Sequence, residues 1–358
     1  MNNGLFRLFR NNEIKVHELN YLFWECTTRC NLHCRHCGSD CTSIGTFKDM
    51  PLKDFLDALD TIPHNYRPKG FTIVLTGGEP LLRPDIVQVG KSIRSRGFGW
   101  GMVSNGFFYD EVMNRKLIDA GMGALTISLD GIGEDHNWMR GNPQSYERAV
   151  RAIAIAAKEK NLDFDVVTCV NKRNIGKLDD MLDLLSDLGV RRWRLFTIIP
   201  IGRAADDPEM QLSDGQLLYL MNHIAEQRKS GGQGKTEVTF SCEGYLGPFE
   251  GKVRRNPFFC RAGINIASVL IDGSINACPN IDRKAFRQGN IHEDNLYDVW
   301  ENGFRQFRAR EWTKTGICSD CPVWEDCQGN GMHNWHGNLE NVLTCHYSKI
   351  MNAKNSKT

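Results

Sequence analysis

Residues 26–41 contain the densest group of metal-binding side chains in the chain. The segment "CTTRCNLHCRHCGSDC" holds five cysteines and two histidines, and Cys30, Cys34 and Cys37 stand at the spacing C-x3-C-x2-C. Thiolates and imidazoles ligate transition metals, and thiols can also pair as disulfides. The segment therefore predicts a disulfide knot, a zinc site or an iron–sulfur cluster.

A second cysteine group lies near the other end of the chain. Its six members are Cys260, Cys278, Cys318, Cys321, Cys327 and Cys345. Only Cys169 and Cys242 fall between the two groups, and the total of thirteen cysteines is odd. An odd total argues against complete disulfide pairing, and two separate groups predict two or more metal sites.

The overall composition excludes several classes of protein. The chain has 358 residues, is 41% hydrophobic and 24% charged, and carries a formal net charge of +1. This balance predicts no nucleic acid or anionic membrane as partner. No apolar run approaches the ~20 residues of a membrane span, and residues 1–19 lack the apolar core of a secretory signal. We therefore expect a cytoplasmic protein, in which thiols stay reduced and cysteine groups bind metal.

Six short apolar segments alternate with six amphipathic ones between residues 20 and 228. The predicted strands are 21–25, 71–75, 100–104, 124–131, 163–170 and 192–200, and the predicted helices are 49–62, 83–97, 110–121, 146–160, 175–189 and 213–229. Apolar strands separated by helices indicate a parallel α/β sheet covered by helices, either open and doubly wound or an incomplete barrel. In both folds ligands bind beyond the carboxyl ends of the strands, where the cysteine segment, "TGGEP", "SNG" and "SLDG" all fall.

The alternation stops after the glycine-rich stretch "KSGGQGK" at 229–235. Residues 264–278 predict a β-hairpin with Asp272 and Gly273 in its turn, and 296–310 predict a helix. We divide the chain into an N-terminal extension (1–19), an α/β domain (20–228), a linking region (229–257), a cysteine-rich domain (258–348) and a frayed tail (349–358).

Zinc is the simplest metal for the first cysteine group. Structural zinc sites use four ligands, commonly as two closely spaced pairs. Here three cysteines are closely spaced and the fourth ligand is not obvious. Candidates for that fourth ligand are His33, His36, Cys26 and Cys41, so the spacing alone leaves zinc open.

The ordered set of motifs resembles the radical S-adenosylmethionine (SAM) enzymes over residues 20–225. "CNLHCRHC" is similar to their cluster loop and "TGGEP" to their Gly-Gly-Glu motif, and "SLDG", "HNWMRG" and "PIGRA" follow in order. The resemblance implies a partial (βα)6 TIM-like barrel with a [4Fe-4S] cluster on Cys30, Cys34 and Cys37. Three thiolates leave one iron free to bind SAM, whose reductive cleavage gives a 5′-deoxyadenosyl radical that abstracts a hydrogen atom from the substrate.

The same resemblance implies a set of SAM contacts at the ends of the strands. The residues that it assigns to cofactor binding are Gly77, Gly78, Glu79, Pro80, Ser104, Asn105, Ser128, Asp130 and Arg140, with Val170, Asn171, Ile199 and Pro200 near the adenine. We expect Gly77 and Gly78 to let the backbone approach the methionine moiety, and Arg140 to pair with its carboxylate. A plain turn at Gly77–Pro80 and a solvent-exposed Arg140 are the alternatives.

The second cysteine group resembles the SPASM domain, which carries auxiliary four-iron clusters. Cys318, Cys321, Cys327 and Cys345 match its outer cluster, with zinc as the alternative. The family's next cysteine is replaced by Gly331, so an inner cluster would retain only Cys260 and Cys278. Cys242, His333 or His336 could complete that inner site, or one iron could stay open, or the cluster could be absent. We therefore expect one or two auxiliary clusters.

The resemblance implies an enzyme whose substrate is a peptide or protein. A tetrapyrrole or another small molecule is the alternative substrate, and a non-catalytic iron–sulfur electron carrier is the alternative class. An enzyme of this kind also needs an electron donor such as flavodoxin or ferredoxin. Residues 1–19 are too short for the winged-helix module that binds leader peptides in some relatives.

Overall fold

The computed structural model describes residues 3–66, 70–231, 236–241, 243–337 and 339–356. A single ten-stranded sheet runs through the described residues in the order β10-β9-β8-β1-β2-β3-β4-β5-β6-β7. Its strands are β1 (Tyr21–Thr27), β2 (Thr72–Gly77), β3 (Gly99–Ser104), β4 (Met122–Ser128), β5 (Asp163–Cys169), β6 (Arg192–Phe196), β7 (Glu237–Phe240), β8 (Ile266–Val269), β9 (Ser274–Asn276) and β10 (Gly289–Asn290). Strands β1–β7 are parallel and the sheet is not closed, which confirms the predicted partial barrel.

Helices follow most of the strands, as the sequence predicts. They are α1 (Asn3–Val16), α2 (Leu52–Asp60), α3 (Ile86–Ser95), α4 (Glu111–Asp119), α5 (Glu134–Arg140), α6 (Ser145–Ala156), α7 (Leu178–Asp187), α8 (Asp214–Ser230), α9 (Leu296–Asn302), α10 (Arg305–Arg308), α11 (Trp324–Cys327) and α12 (His346–Asn355). Their starts follow local chemistry: Pro51 precedes α2, and a capping box between Ser213 and Gln216 begins α8.

The two faces of the parallel sheet differ in burial. The helix-facing side is fully buried: the Trp24 ring stacks on Phe55 of α2 with centroids 4.0 Å apart, and Trp100 Nε1 donates to the carbonyl of Ala120 after α4. The alternate residues face the barrel interior and include half-buried Val74 and Val103. The interior of the barrel is therefore partly accessible, whereas the core lies between sheet and helices.

The cysteine-rich half continues the same sheet. Strand β7 lies in the region 229–257 that we treated as a link, and it pairs in parallel with β6. The predicted hairpin is present as β8 and β9, and β8 pairs in parallel with β1. Residues 232–235 of the glycine-rich stretch lie outside the described residues.

Two predictions about the C-terminal part of the chain are wrong. The single helix expected at 296–310 is split into α9 and α10, because Gly303 and Phe304, the latter with φ +62°, interrupt it. The tail expected to fray forms α12, since Ile350 and Ala353 are buried and pack this helix against α8. Only residues 357 and 358 of that tail lie outside the described part of the chain.

The N-terminal extension is also ordered. Helix α1 contacts the cysteine-rich half through an ion pair between Arg7 and Asp326 at 2.7 Å and another between Glu13 and Arg261 at 2.9 Å. Among the described residues, none of the helices has the length and apolarity needed to cross a membrane.

Candidate functional site

The three cysteines of the first group lie on a compact loop after β1. The Cys30 N–H donates to the carbonyl of Thr42 at 2.8 Å, and the Cys37 N–H donates to that of Cys34 at 3.3 Å. Arg203, in the "PIGRA" segment, donates its Nε to the Cys34 carbonyl at 2.7 Å and its backbone N–H to the Cys37 carbonyl at 3.1 Å. The end of β6 thus holds the cysteine loop in shape.

The environment of these thiols suits a metal cluster. Burial, with smaller contributions from the neighbouring Cys34, Glu79 and Cys37, raises the pKa of Cys30 to about 12, so the three thiols of the loop lie near one another. Burial also raises the pKa of Cys34. Arg140, whose Nη1 lies 3.6 Å from the Cys34 Sγ, reduces this increase because its positive charge favours the thiolate. A hydrogen bond from the Cys41 thiol lowers the pKa of Cys37. Buried thiols with nearby donors fit an iron–sulfur cluster, which takes thiolates and releases their protons.

The "GGEP" turn packs directly against the residues that precede Cys30. A side chain at Gly77 would place its Cβ 2.1 Å from the Thr27 carbonyl oxygen, and one at Gly78 would place it 2.1 Å from that of Arg29. The Gly78 N–H donates to Thr27 O at 2.8 Å, and the next N–H donates to Arg29 O at 2.9 Å. The glycines are therefore required for contact with the cysteine loop; their predicted approach to the methionine moiety stays a prediction.

Glu79 joins the ends of two strands. Its carboxylate is fully buried and accepts hydrogen bonds from Leu81 N at 3.1 Å, Ser104 Oγ at 2.9 Å and Asn105 N at 2.8 Å. Burial raises the pKa of this carboxyl. The three hydrogen bonds that the carboxylate accepts have the opposite, smaller effect. Glu79 and Ser104 hold the rim of the barrel through contacts with protein atoms, and Pro80 beside them is also buried.

Asn105 and Ser128 line the same rim. The Asn105 Nδ2 donates to Asn31 Oδ1 at 3.0 Å and lies 3.9 Å from the Cys30 Sγ. Ser128 ends β4 and is half buried. Asn105 thus stands beside the cysteine loop, and the role of both residues in cofactor binding stays a prediction.

Asp130 and Arg140 form a buried ion pair beside the loop. Arg140 Nη2 lies 2.5 Å from Asp130 Oδ2, and neither side chain is exposed, so the solvent-exposed alternative for Arg140 is wrong. Burial alone would raise the pKa of Asp130. The neighbouring Arg140 and His36 have a larger opposite effect, so the pKa of this carboxyl lies below its usual value. Arg140 reaches this position because it ends α5, a helix that sequence analysis did not predict.

Two further residues join this site: His36, which sequence analysis named only as a candidate zinc ligand, and Cys169, to which it gave no role. Ligand atoms of His36, Asp130 and Cys169 lie within 4.8 Å of one another. The Arg140 guanidinium beside Asp130 disfavours a further cation there. Burial lowers the pKa of His36 to about 4, so its imidazole is neutral at pH 7. Cys169 ends β5 with no sequence motif around it, and only the fold reveals its position.

The predicted adenine residues lie at the ends of β5 and β6. Val170 and Asn171 are buried, and Asn171 Oδ1 accepts from the backbone N–H groups of Arg173 and Asn174. Ile199 and Pro200 are half buried. Ile201, the residue after Pro200, lies beside Gly38 of the cysteine loop, 3.2 Å from the position that a Cβ would take there, and the predicted adenine contacts stay a prediction.

The outer thiols of the second group also lie close together. Burial, with smaller contributions from the sulfurs of Cys345 and Cys321, raises the pKa of Cys318 to about 11. Burial raises the pKa of Cys327 to about 12, again with contributions from the other three sulfurs. Four neighbouring thiols, of which Cys318 is buried and the other three are half buried, fit the four ligands of one [4Fe-4S] cluster.

The inner site has fewer described ligands. Cys260 Sγ accepts the Met332 N–H at 3.5 Å, so the turn after Gly331 touches this cysteine. His336, a second candidate ligand, has its Nδ1 3.6 Å from Asp282 Oδ2. Cys242 lies outside the described residues, and its predicted role stays a prediction.

Comparisons with known proteins agree with this arrangement. Residues 24–185 match the Radical SAM superfamily, and residues 260–322 match the SPASM iron-sulfur cluster-binding domain. The chain is 28% identical to an AdoMet-dependent heme synthase of Methanosarcina barkeri over 86% of this chain and 89% of the relative. It is also 28% identical to the mycofactocin maturase MftC of Mycobacterium ulcerans, over 87% and 82%. The structure of Streptococcus suis SuiB bound to precursor peptide SuiA superposes with a TM-score of 0.68 at 15% identity, over 93% of this chain and 77% of that one.

Fold, motifs and comparisons define a class of enzyme that uses an iron–sulfur cluster on an open α/β barrel. The chain belongs to the radical SAM superfamily and carries a C-terminal SPASM domain. Its cofactors are a [4Fe-4S] cluster, SAM and auxiliary clusters. This assignment replaces the zinc and electron-carrier alternatives.

Proposed function

We propose that this enzyme abstracts a hydrogen atom from a peptide or protein substrate bound inside the partial barrel. The observation that carries the proposal is the chemistry of the inner wall. Half-buried small side chains line it, namely Val74, Thr76, Val103, Thr126, Ser128 and Val167. Small side chains take up less of the barrel interior than large ones would, and the threonine and serine hydroxyls can hydrogen-bond the backbone of an extended chain.

The charges of the wall support the same substrate class. Strands β1–β7, all within the described residues, contain two basic residues, Arg192 and Arg194. Each forms an ion pair with an aspartate of β5, Asp163 and Asp165 respectively. Thr126 Oγ1 also donates to Asp165 at 2.6 Å. A carboxylate-rich tetrapyrrole needs unpaired cations more than a peptide does.

The protein's own residues would prepare the reaction by positioning. Cys30, Cys34 and Cys37 would hold the cluster. The Glu79 carboxylate fixes the ends of β2 and β3, and Arg203 fixes the cysteine loop. When bound, the cluster and SAM supply an organic radical that removes hydrogen from an unactivated carbon.

A second candidate substrate is a tetrapyrrole. It is favoured by the AdoMet-dependent heme synthase relative, which the chain matches over most of its length. The peptide proposal is supported in the same way by the maturase relative and by a precursor peptide bound to a protein of the same fold.

One experiment separates these candidates. The anaerobic protein is incubated with SAM and dithionite, alone, with peptides recovered from co-expression, or with Fe-coproporphyrin III. We expect peptides to increase 5′-deoxyadenosine release and to lose hydrogen mass by mass spectrometry. Stimulation by the porphyrin and by none of the peptides would contradict the peptide proposal. The variant with Cys30, Cys34 and Cys37 all changed to alanine should release no 5′-deoxyadenosine under any condition.

The reaction also implies an electron donor and a compartment. We propose flavodoxin or ferredoxin as the donor, because both deliver single electrons at low potential. Replacing dithionite by reduced flavodoxin or ferredoxin tests this directly. We keep the cytoplasm as the proposed location, since unligated cysteines of the cluster sites need a reducing compartment before assembly.

A further inference from the structure

The turn at 331–334 begins at Gly331, where the resemblance to SPASM domains leads us to expect a cysteine. In SPASM domains a cysteine occupies the position of Gly331 and completes the inner cluster. Here the Cβ position at Gly331 lies 2.6 Å from His333 Cε1 and 3.0 Å from His333 Nδ1. The imidazole of His333 thus fills the space next to Gly331 that a cysteine side chain would need.

The surrounding backbone excludes a cysteine at this position. The same Cβ position lies 2.6 Å from the carbonyl oxygen of Glu243, which is closer than real Cβ atoms approach. Gly331 has φ −71° and ψ 137°, an ordinary conformation, so glycine is required here by contact and not by backbone strain. A ligand at this place must therefore come from a neighbouring residue.

The two retained cysteines converge near the same turn. Antiparallel pairing of Ser268 with Asn276 carries Cys278 to the level of Ile266, and Ala262 forms an isolated bridge with Ile266. Cys260 lies two residues before that bridge, and its Sγ accepts the Met332 N–H at 3.5 Å. Cys260 therefore touches the residue that precedes His333, and the register of β8 and β9 brings Cys278 to the same end of the hairpin.

The imidazole is available for ligation. Among the described residues no hydrogen bond is made by the His333 ring, whereas His336 on the same turn lies 3.6 Å from the carboxylate of Asp282.

We propose that His333 ligates the inner auxiliary cluster in place of the cysteine that Gly331 replaces. Histidine in place of thiolate removes one negative charge from the cluster and raises its reduction potential, as in Rieske centres. The inference concerns a cluster ligand and does not depend on the identity of the substrate.

The test detects histidine nitrogen at the cluster directly. Protein with Cys30, Cys34 and Cys37 all changed to alanine is used, so that the SAM amino group cannot contribute a nitrogen signal. The protein is labelled with 15N-histidine, reduced anaerobically and examined by pulsed electron paramagnetic resonance for 15N coupling to the cluster. We expect a coupling that His333→Cys abolishes and His336→Ala retains. His333→Cys should also lower the reduction potential of the inner cluster.

Iron content provides the folding check. His333→Cys should keep the iron of both auxiliary clusters, whereas His333→Ala should lose up to about four irons per chain and keep the outer cluster. The parent protein is the one with Cys30, Cys34 and Cys37 changed to alanine. If this protein, once reduced, shows no coupling to histidine nitrogen, the proposal is wrong. A coupling that persists after His333→Cys would overturn it too. Iron sufficient only for the outer cluster in the parent protein would overturn it as well.

Discussion

Gly78→Ala tests whether the "GGEP" turn shapes the cysteine loop. The new Cβ would lie 2.1 Å from the carbonyl oxygen of Arg29, and ordinary contact begins at 3.4 Å, so the turn must move by more than 1 Å. That movement breaks the hydrogen bonds from Gly78 N to Thr27 O and from Glu79 N to Arg29 O. Two lost hydrogen bonds together with overpacking cost about 2–4 kcal/mol of unfolding free energy.

Two measurements follow from this displacement. Urea unfolding of the cluster-free protein should show the lower stability, and anaerobic reconstitution should bind up to about four fewer irons per chain, because Cys30 directly follows Arg29. Gly215→Ala is the matched control: nothing lies within 4 Å of its Cβ position in α8, so helix propensity should leave stability equal or higher. If Gly78→Ala matches the wild type in both stability and iron content, the proposed packing of turn against loop is wrong.

Further predictions concern four other positions. Glu79→Gln turns an acceptor oxygen into a donor amide against N–H and O–H groups, and should cost about 1.5–3 kcal/mol in urea unfolding; unchanged stability would contradict the role of this carboxylate. Cys318→Ala should lower the iron content by about four atoms per chain, measured after anaerobic purification, if the four outer thiols share one cluster. Burial raises the pKa of Asp135, but Lys177 and Arg173 outweigh burial and lower it, so this carboxylate stabilises the fold above the unfolded pKa of about 4 and loses that effect as pH falls through the folded value. Asp135→Asn should therefore destabilise the protein at pH 7, with a difference that shrinks below about pH 4; a pH-independent difference would refute the ion pair as the cause. Ile350→Ala should cost about 2–4 kcal/mol because the side chain is fully buried, whereas a frayed tail would show no loss.

The parallel domain could be predicted because its information is local. Apolar runs of strand length alternate with amphipathic segments, and caps such as Ser213 mark where the helices begin. Strands β1–β6 all lie within two residues of their predicted starts. The exceptions arise where packing overrides local pattern: Phe304 accepts a left-handed conformation, and α12 is stable because α8 buries its apolar side.

The sequence by itself determined the chemistry, because ligand spacing within one loop is a local property. The spacing of Cys30, Cys34 and Cys37 and the order of the following motifs were enough to predict a radical SAM enzyme with auxiliary clusters. Only the tertiary structure decided which groups meet across strands. It paired Arg140 with Asp130, used the glycines of "GGEP" to pack against the cysteine loop, and brought His333 to the place of an absent cysteine. These contacts join residues far apart in the chain, so no periodicity or motif encodes them, and the packing of the sheet alone fixes their distances.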